Sequence, residues 1–113
     1  MTPGRPDSIE AELDAARAAL ASGNEGKARV CARRAAGEAI ARYRMRHPAP
    51  GWPSDALGLL LRLRDDPSFA AVAREAAGRL TAKVSDRHLL STDPIGDAVI
   101  IIEACAGRTE GDS

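Results

Sequence analysis

The feature that most restricts the fold of this chain is a stripe of small residues along its longest helical pattern. The small residues recur at three- and four-residue spacing and end at an aromatic ring: Ala28, Cys31, Ala32, Ala35, Ala36, Ala39 and Tyr43. This spacing is typical of one face of an α-helix. Small side chains on such a face let a neighbouring helix approach closely. We therefore predict a helix over residues 25–46 that lies at the centre of a helical bundle.

The composition favours an all-α protein and disfavours several other classes. Only 3% of the 113 residues are aromatic, which argues against β-sandwiches and against single-strand-binding folds that need several stacking rings. The chain has no apolar run of about 18 residues and no signal-type N-terminus. We therefore expect a cytoplasmic protein without a membrane segment. In that compartment Cys31 and Cys105 stay reduced, and we expect both to be small buried hydrophobes.

Turn and cap signals divide the rest of the chain into four further helical segments. We predict a first helix over 8–22, a leucine-rich third helix capped by Ser54 or Asp55, a fourth starting at Asp66-Pro67, and a fifth over 95–106. The run 98–102 is also compatible with a buried strand, but a lone strand leaves its backbone groups unpaired. The prediction is one all-α domain over residues 7–106, a four- to five-helix up-and-down bundle, with flexible ends at 1–6 and 107–113.

The charge is balanced overall but concentrated locally. Sixteen basic residues offset sixteen acidic ones, yet residues 27–47 carry a net +6 and the segments on either side carry −3 each. One interpretation is an anion-binding surface, because clustered arginines present planar forks suited to phosphate and carboxylate. The other is a solvated face whose charges pair with neighbouring acidic helices. On the first interpretation, Arg33 and Arg42 are candidate anion contacts.

The two histidines are the candidate catalytic groups. Arg42 precedes His47 by five residues, and such a pair can cleave RNA without a metal, with His moving a proton and Arg stabilising the phosphorane. Alternatively, His47 is a polar helix end. Arg87 and His88 lie in the connector before the fifth helix, where they either face an anion or form a turn.

Other chemistries have little support in the sequence. The cysteines and histidines are scattered singly, which does not match the paired ligand spacing of zinc sites. Known phosphate-binding and hydrolase motifs are absent from the sequence, so we expect neither a metal nor a cofactor. Trp52, in the run Pro-Gly-Trp-Pro, is expected to cover the end of the bundle, with a ligand-stacking ring as the alternative.

The segment from Ala19 to Ile40 resembles the start of small prokaryotic HEPN domains, in which a helix ends near a glycine and a long alanine-rich helix follows. The leucine-rich segment 54–63 and the order of elements up to Ala106 also follow that family. The resemblance implies a helical bundle that forms a homodimer. Many members are metal-independent ribonucleases of toxin–antitoxin or defence systems with an Arg-polar-x(3–5)-His motif. Others bind nucleotides or protein partners, often beside a nucleotidyltransferase.

The chain departs from the nuclease motif of that family. Arg87 lies where the family arginine falls, but only the adjacent His88 follows it closely. The Arg42–His47 pair lies on a different helix. The resemblance therefore implies a non-catalytic member that binds a nucleotide, RNA or protein partner through its basic second helix, with anion contacts at Arg33, Arg42, Arg87 and His88. Two alternatives remain, a metal-independent ribonuclease using Arg42 and His47 and a helical adaptor of the tetratricopeptide type.

Overall fold

The computed structural model describes residues 8–83, 85–86 and 90–111, the last five of these by their backbone only. Within that part the chain forms five α-helices. They are α1 (Ser8–Ala21), α2 (Glu25–Arg46), α3 (Ala56–Arg64), α4 (Ala71–Thr81) and α5 (Pro94–Gly111). The described residues contain no strand, so the all-α bundle is confirmed and residues 98–102 are helical rather than extended.

Helix α2 is the central element of the bundle. It packs against α1, α3 and α5 and also touches α4. Every member of the small-residue stripe is buried: Ala28, Cys31, Ala32, Ala35, Ala36, Ala39 and Tyr43. At Gly37 the backbone of α2 comes so close to α3 that a Cβ added there would lie 2.7 Å from the Cβ of Ala56. The predicted close packing around α2 is therefore confirmed.

The larger core side chains come from the shorter helices and surround α2. Leu59, Leu60 and Leu63 of α3 are buried, together with Leu80 of α4 and Ile101 of α5. The leucines of α3 do not cover its whole circumference, because Leu57 is 48% exposed. Both cysteines are buried, which confirms their predicted packing role.

Two of the predicted helix starts are confirmed by their caps. The side chain of Asp55 accepts a hydrogen bond from the Gly58 N–H at 2.9 Å, and that of Asp93 accepts one from the Gly96 N–H at 3.0 Å. These contacts satisfy backbone donors that the first turn of a helix leaves free. Asp55 therefore begins α3, and the Asp93-Pro94 signal correctly marks the start of α5.

The predicted start of the fourth helix at Asp66-Pro67 is wrong. Asp66 accepts hydrogen bonds from the N–H and the hydroxyl of Ser68, which closes a turn instead of a helix. Ala70 is extended, and α4 begins one residue later. Phe69 is nevertheless buried, so the turn still contributes its aromatic ring to the core.

Both ends of the domain were predicted to be flexible, and part of the C-terminal end is described by the structure. Helix α5 continues to Gly111, so helical backbone covers the first five residues of the predicted tail 107–113. Residues 1–7 and 112–113 lie outside the described residues.

Candidate anion-binding site

Most arginines in the described part of the chain are bound to other groups of the protein. Four are paired with carboxylates: Arg17 with Asp14, Arg42 with Glu38, Arg64 with Asp65, and Arg79 with Asp97. Arg33 and Arg74 instead donate to backbone carbonyl groups. Arg44 and Arg62 differ from all of these, because within the described residues neither has a carboxylate partner and both lie on an aromatic ring. Arg29 and Arg34 also have no carboxylate partner among the described residues, but of these four arginines Arg44 and Arg62 are the two that share one aromatic ring.

These two arginines belong to a group that we call the Trp52 cluster, consisting of Tyr43, Arg44, His47, Trp52 and Arg62. The guanidinium carbon of Arg44 lies 4.6 Å from the Trp52 ring centroid and 4.7 Å from that of Tyr43. The guanidinium carbon of Arg62 lies 4.9 Å from the Trp52 centroid. These are cation–π distances, and they place two like charges around one indole.

The connector between α2 and α3 brings the Trp52 ring back over α2. His47 caps the C-terminus of α2: its N–H donates to the Tyr43 carbonyl at 2.9 Å, and its ring centroid is 4.5 Å from that of Tyr43. Gly51 then adopts a φ of 88°, a left-handed conformation that favours glycine. Trp52 follows it and packs against the hydrophobic core, as predicted for a residue that covers the bundle.

Two nitrogen atoms of the cluster are buried without a partner. The Nε of Arg44 and the Nε2 of His47 have no hydrogen bond to any described residue. A buried polar atom without a partner is unfavourable, so it favours a ligand that can reach it. The cluster therefore combines positive charge with unsatisfied polar atoms.

The carboxylate of Asp65, which interacts with the charge of Arg62, is already paired with Arg64. Its hydrogen bond with Arg64 holds the pKa of the Asp65 carboxyl below its ordinary value, and the charges of Arg64, Arg74 and Arg62 add to that effect. Asp65 binds Arg64 through two hydrogen bonds of 3.0 and 3.1 Å. Arg62 is close enough to affect Asp65 but is not paired with it.

Arg33 and Arg42, which the sequence nominated as anion contacts, are committed within the bundle. The Nε of Arg33 donates to the carbonyl of Leu80 in the last turn of α4. Burial and the nearby charge of Arg29 lower the pKa of Arg33. Arg42 donates to Glu38 at 3.1 Å and to the Ser8 hydroxyl at 2.8 Å, so it joins α2 to the start of α1.

The pair proposed for ribonuclease chemistry is directed to different parts of the bundle. Residues five apart on an α-helix differ by about 140° in direction. Arg42 accordingly contacts Ser8 of α1, whereas the His47 ring lies on Tyr43. The other nominated pair, Arg87 and His88, lies outside the described residues.

Arg44 and Arg62 were not among the site residues predicted from the sequence. Arg44 belongs to the basic run and Trp52 is the only tryptophan, so each carried a signal on its own. The contact between Arg44 and Trp52 depends on the turn at Gly51. The contact between Arg62 and Trp52 depends on how α3 packs. Neither is visible as a spacing in the sequence.

Comparison of the chain with known protein families, with curated proteins and with solved structures finds no match. In the described part of the chain, no group of three or more His, Cys, Asp or Glu side chains is placed to hold a metal ion. None of the described helices has both the length and the apolar character that crossing a bilayer requires.

Proposed function

We propose that this protein is a non-catalytic, HEPN-like helical bundle that binds the phosphate groups of RNA or of a nucleotide at the Trp52 cluster. The observation that carries the proposal is the pair of arginines on Trp52, which have no carboxylate partner among the described residues while four other arginines do. The HEPN resemblance extends the proposal to a cytoplasmic homodimer and to a nucleotidyltransferase as the class of protein partner.

Phosphate is the ligand chemistry that fits this arrangement. A guanidinium donates two parallel hydrogen bonds to a phosphate, and these charge-assisted bonds are stronger than neutral ones. Two guanidinium groups around one indole also repel each other, and a bound anion offsets that repulsion. The indole orients the arginine side chains, which reduces the side-chain entropy lost on binding.

A binding role is favoured over catalysis by the positions of Arg42 and His47. General acid–base cleavage needs the proton-transferring group and the charge-stabilising group at one phosphate. Arg42 is held by Glu38 and Ser8, away from the Tyr43 ring on which His47 lies. RNA incubated with the protein and a chelator is therefore expected to remain intact on a denaturing gel.

Trp52 supplies the test, because as the only tryptophan it reports on its own site. Purified protein is titrated at low salt with a single-stranded RNA oligonucleotide and, separately, with a nucleoside monophosphate. We expect a saturable change in tryptophan fluorescence. Tighter binding of the oligonucleotide indicates RNA as the ligand, and equal binding indicates a free nucleotide.

Substitutions locate the binding. Arg44→Gln and Arg62→Gln are each expected to weaken binding about tenfold, the effect of losing about 1.4 kcal/mol. Arg17→Gln is the matched control, because Arg17 lies on the exposed side of α1 and pairs with Asp14. Undiminished affinity in the Arg44→Gln/Arg62→Gln double variant contradicts the proposal, and so does the absence of binding by the unchanged protein.

A further inference from the structure

A separate cavity lies near the N-terminal end of α2, away from the Trp52 cluster. Its volume is about 270 Å³, and it lies between the last turn of α1, the first turns of α2 and the segment that precedes α5. Six residues line it: Leu20, Glu25, Arg29, Ser91, Thr92 and Pro94. Arg29 and Arg44 are fifteen residues apart on α2, or about 22 Å along the helix axis. The cavity is therefore distinct from the proposed phosphate site.

The cavity contains two opposite charges that are not paired with each other. Glu25 precedes Arg29 by four residues, a spacing at which an acid and a base often pair on a helix surface. Although both side chains are described, the structure has no ion pair between them, and the Nε of Arg29 is buried without a hydrogen-bond partner among the described residues. A guanidinium donor and a carboxylate acceptor therefore line the same space.

The surroundings of Arg29 favour an anionic group beside it. Arg33 lies one turn further along α2, and burial followed by the charge of Arg29 lowers the pKa of Arg33. Arg33 donates to the Leu80 carbonyl, an uncharged acceptor that does not offset the positive charge of the two arginines. A carboxylate at Arg29 satisfies its buried donor and reduces the repulsion between the two arginines.

The opposite wall of the cavity is held in place by a hydrogen-bond network. The N–H of Ser91 donates to the Arg79 carbonyl at 3.2 Å, and the Ser91 hydroxyl donates to the buried carboxylate of Asp97. Because the Ser91 hydroxyl is committed to Asp97, Thr92 supplies the other hydroxyl on this wall. Leu20 and Pro94 add apolar surface. A cavity that is already formed avoids an ordering cost on binding.

From this arrangement we infer that the cavity binds a small zwitterion of the α-amino acid class. The ligand carboxylate pairs with Arg29, its ammonium group pairs with Glu25, and its side chain lies on Leu20 and Pro94. The lining charges of Glu25 and Arg29 cancel, so a zwitterion matches them, whereas Glu25 repels a polyanion such as a nucleotide phosphate. The volume lies just below the 300–1,000 Å³ that is typical of drug-sized ligands and suits a smaller molecule.

The test follows the Nε–Hε resonance of Arg29 in ¹H–¹⁵N spectra of the labelled full chain. L-leucine is the first probe. Its analogue without the amino group, 4-methylpentanoate, and inorganic phosphate are the comparisons. We expect L-leucine to shift the Arg29 resonance and to saturate by about 10 mM, which corresponds to a Kd near 1 mM. We expect 4-methylpentanoate to bind at least tenfold more weakly and phosphate not to compete.

Two substitutions separate the two charges of the site. Arg29→Gln is expected to abolish L-leucine binding, followed by backbone amide shifts of Thr92 and Leu20. Glu25→Gln is expected to reduce the affinity for L-leucine to that for 4-methylpentanoate. Arg34→Gln is the control, because Arg34 is an exposed arginine of α2 outside this cavity. Equal binding of L-leucine, 4-methylpentanoate and phosphate overturns the proposal, as does no shift with any of a panel of neutral amino acids.

This inference and the proposed function fail independently. The Arg44→Gln/Arg62→Gln double variant, which tests the phosphate site, is expected to bind L-leucine unchanged. Loss of L-leucine binding in that variant contradicts a separate amino-acid site. If the unchanged protein does not bind RNA, L-leucine is still expected to shift the Arg29 resonance.

Discussion

Among individual residues, the buried Asp97 holds together the junction of α4 and α5. Its carboxylate is 5% exposed and accepts hydrogen bonds from Nη2 of Arg79 at 2.7 Å and from Nε of Arg79 at 3.1 Å. It also accepts one from the hydroxyl of Ser91. Removing the carboxylate therefore leaves three donor groups, two of Arg79 and one of Ser91, without their acceptor at once.

We expect Asp97→Ala to lower the free energy of unfolding by about 2–3 kcal/mol. The loss stays below that of a fully buried ion pair, because the Arg79 side chain is 41% exposed and regains water. The measurement is urea denaturation, with Asp14→Ala as the control, since Asp14 forms an exposed pair with Arg17. That control is expected to lose less than about 0.5 kcal/mol. Equal losses for the two variants contradict a structural role for Asp97.

The pKa of Arg79 determines how its share of this stability depends on pH. The hydrogen bond to Asp97 raises the pKa of Arg79 above its ordinary value. A group whose pKa is raised by folding stabilises the protein at every pH below its unfolded pKa and loses that effect only as the pH rises through the folded value. The Arg79 contribution is therefore constant across the neutral and mildly alkaline range.

The residues of the candidate site could be predicted only in part. The sequence located the charge in α2 and singled out Trp52, and it nominated Arg33 and Arg42 for their place in the basic run. It could not show that Arg33 donates to a carbonyl 47 residues later in the chain, or that Arg42 donates to Glu38 and Ser8. Which arginines are left for a ligand depends on tertiary partners, and these have no signature in sequence spacing.

At the scale of the helices, the contact of α2 with α3 depends on Gly37. We expect Gly37→Ala to destabilise the protein by about 1–3 kcal/mol, although alanine has the higher helix propensity by about 1 kcal/mol. A Cβ at this position would lie 2.7 Å from the Cβ of Ala56 and 2.8 Å from its Cα, so the two helices must separate. Thermal or urea unfolding provides the measurement.

Gly26→Ala is the matched control for that prediction. Gly26 lies on the same helix, and a Cβ there meets only a side-chain oxygen of Asn24, at 3.9 Å. We expect this variant to be neutral or stabilised by up to about 1 kcal/mol. If both substitutions change stability by the same amount, the close approach at Gly37 does not restrict the packing of α3.

The helices themselves were largely predictable, and the wrong start of the fourth helix has a local cause. The predicted range of α2 agrees with the structure, in which the stripe of small residues lies within Glu25–Arg46 and the Asn24 side chain caps the first turn. Asp-Pro occurs at 66–67 and at 93–94 with opposite outcomes. The carboxylate of Asp93 reaches the N–H three residues later and starts a helix, whereas that of Asp66 reaches the N–H two residues later and closes a turn. The hydroxyl of Ser68, which also donates to Asp66, favours the turn.

For the molecule as a whole, the arrangement of charge matters more than its total. The chain is neutral, so it has no net charge to attract RNA from a distance. Two of the arginines that give residues 27–47 their excess charge are held by the same chain, Arg42 by the Glu38 carboxylate and Arg33 by the Leu80 carbonyl. A phosphate ligand at the Trp52 cluster meets the two guanidinium groups of Arg44 and Arg62. It does not meet the whole net charge of +6 that residues 27–47 carry.

This difference predicts the salt dependence of RNA binding. Each neutralised phosphate of a single strand contributes about −0.7 to the slope of log K against log salt, so two arginines give a slope of about −1.4. Raising the salt from 50 to 200 mM is then expected to weaken binding about sevenfold, whereas engagement of the whole basic helix would weaken it about 300-fold. The measurement is the Trp52 fluorescence titration repeated across that range. In the Arg44→Gln/Arg62→Gln variant, any residual slope should approach zero. An unchanged slope in that variant would place the phosphates elsewhere on the bundle, because the counter-ions released on binding must come from contacts that the two arginines do not make.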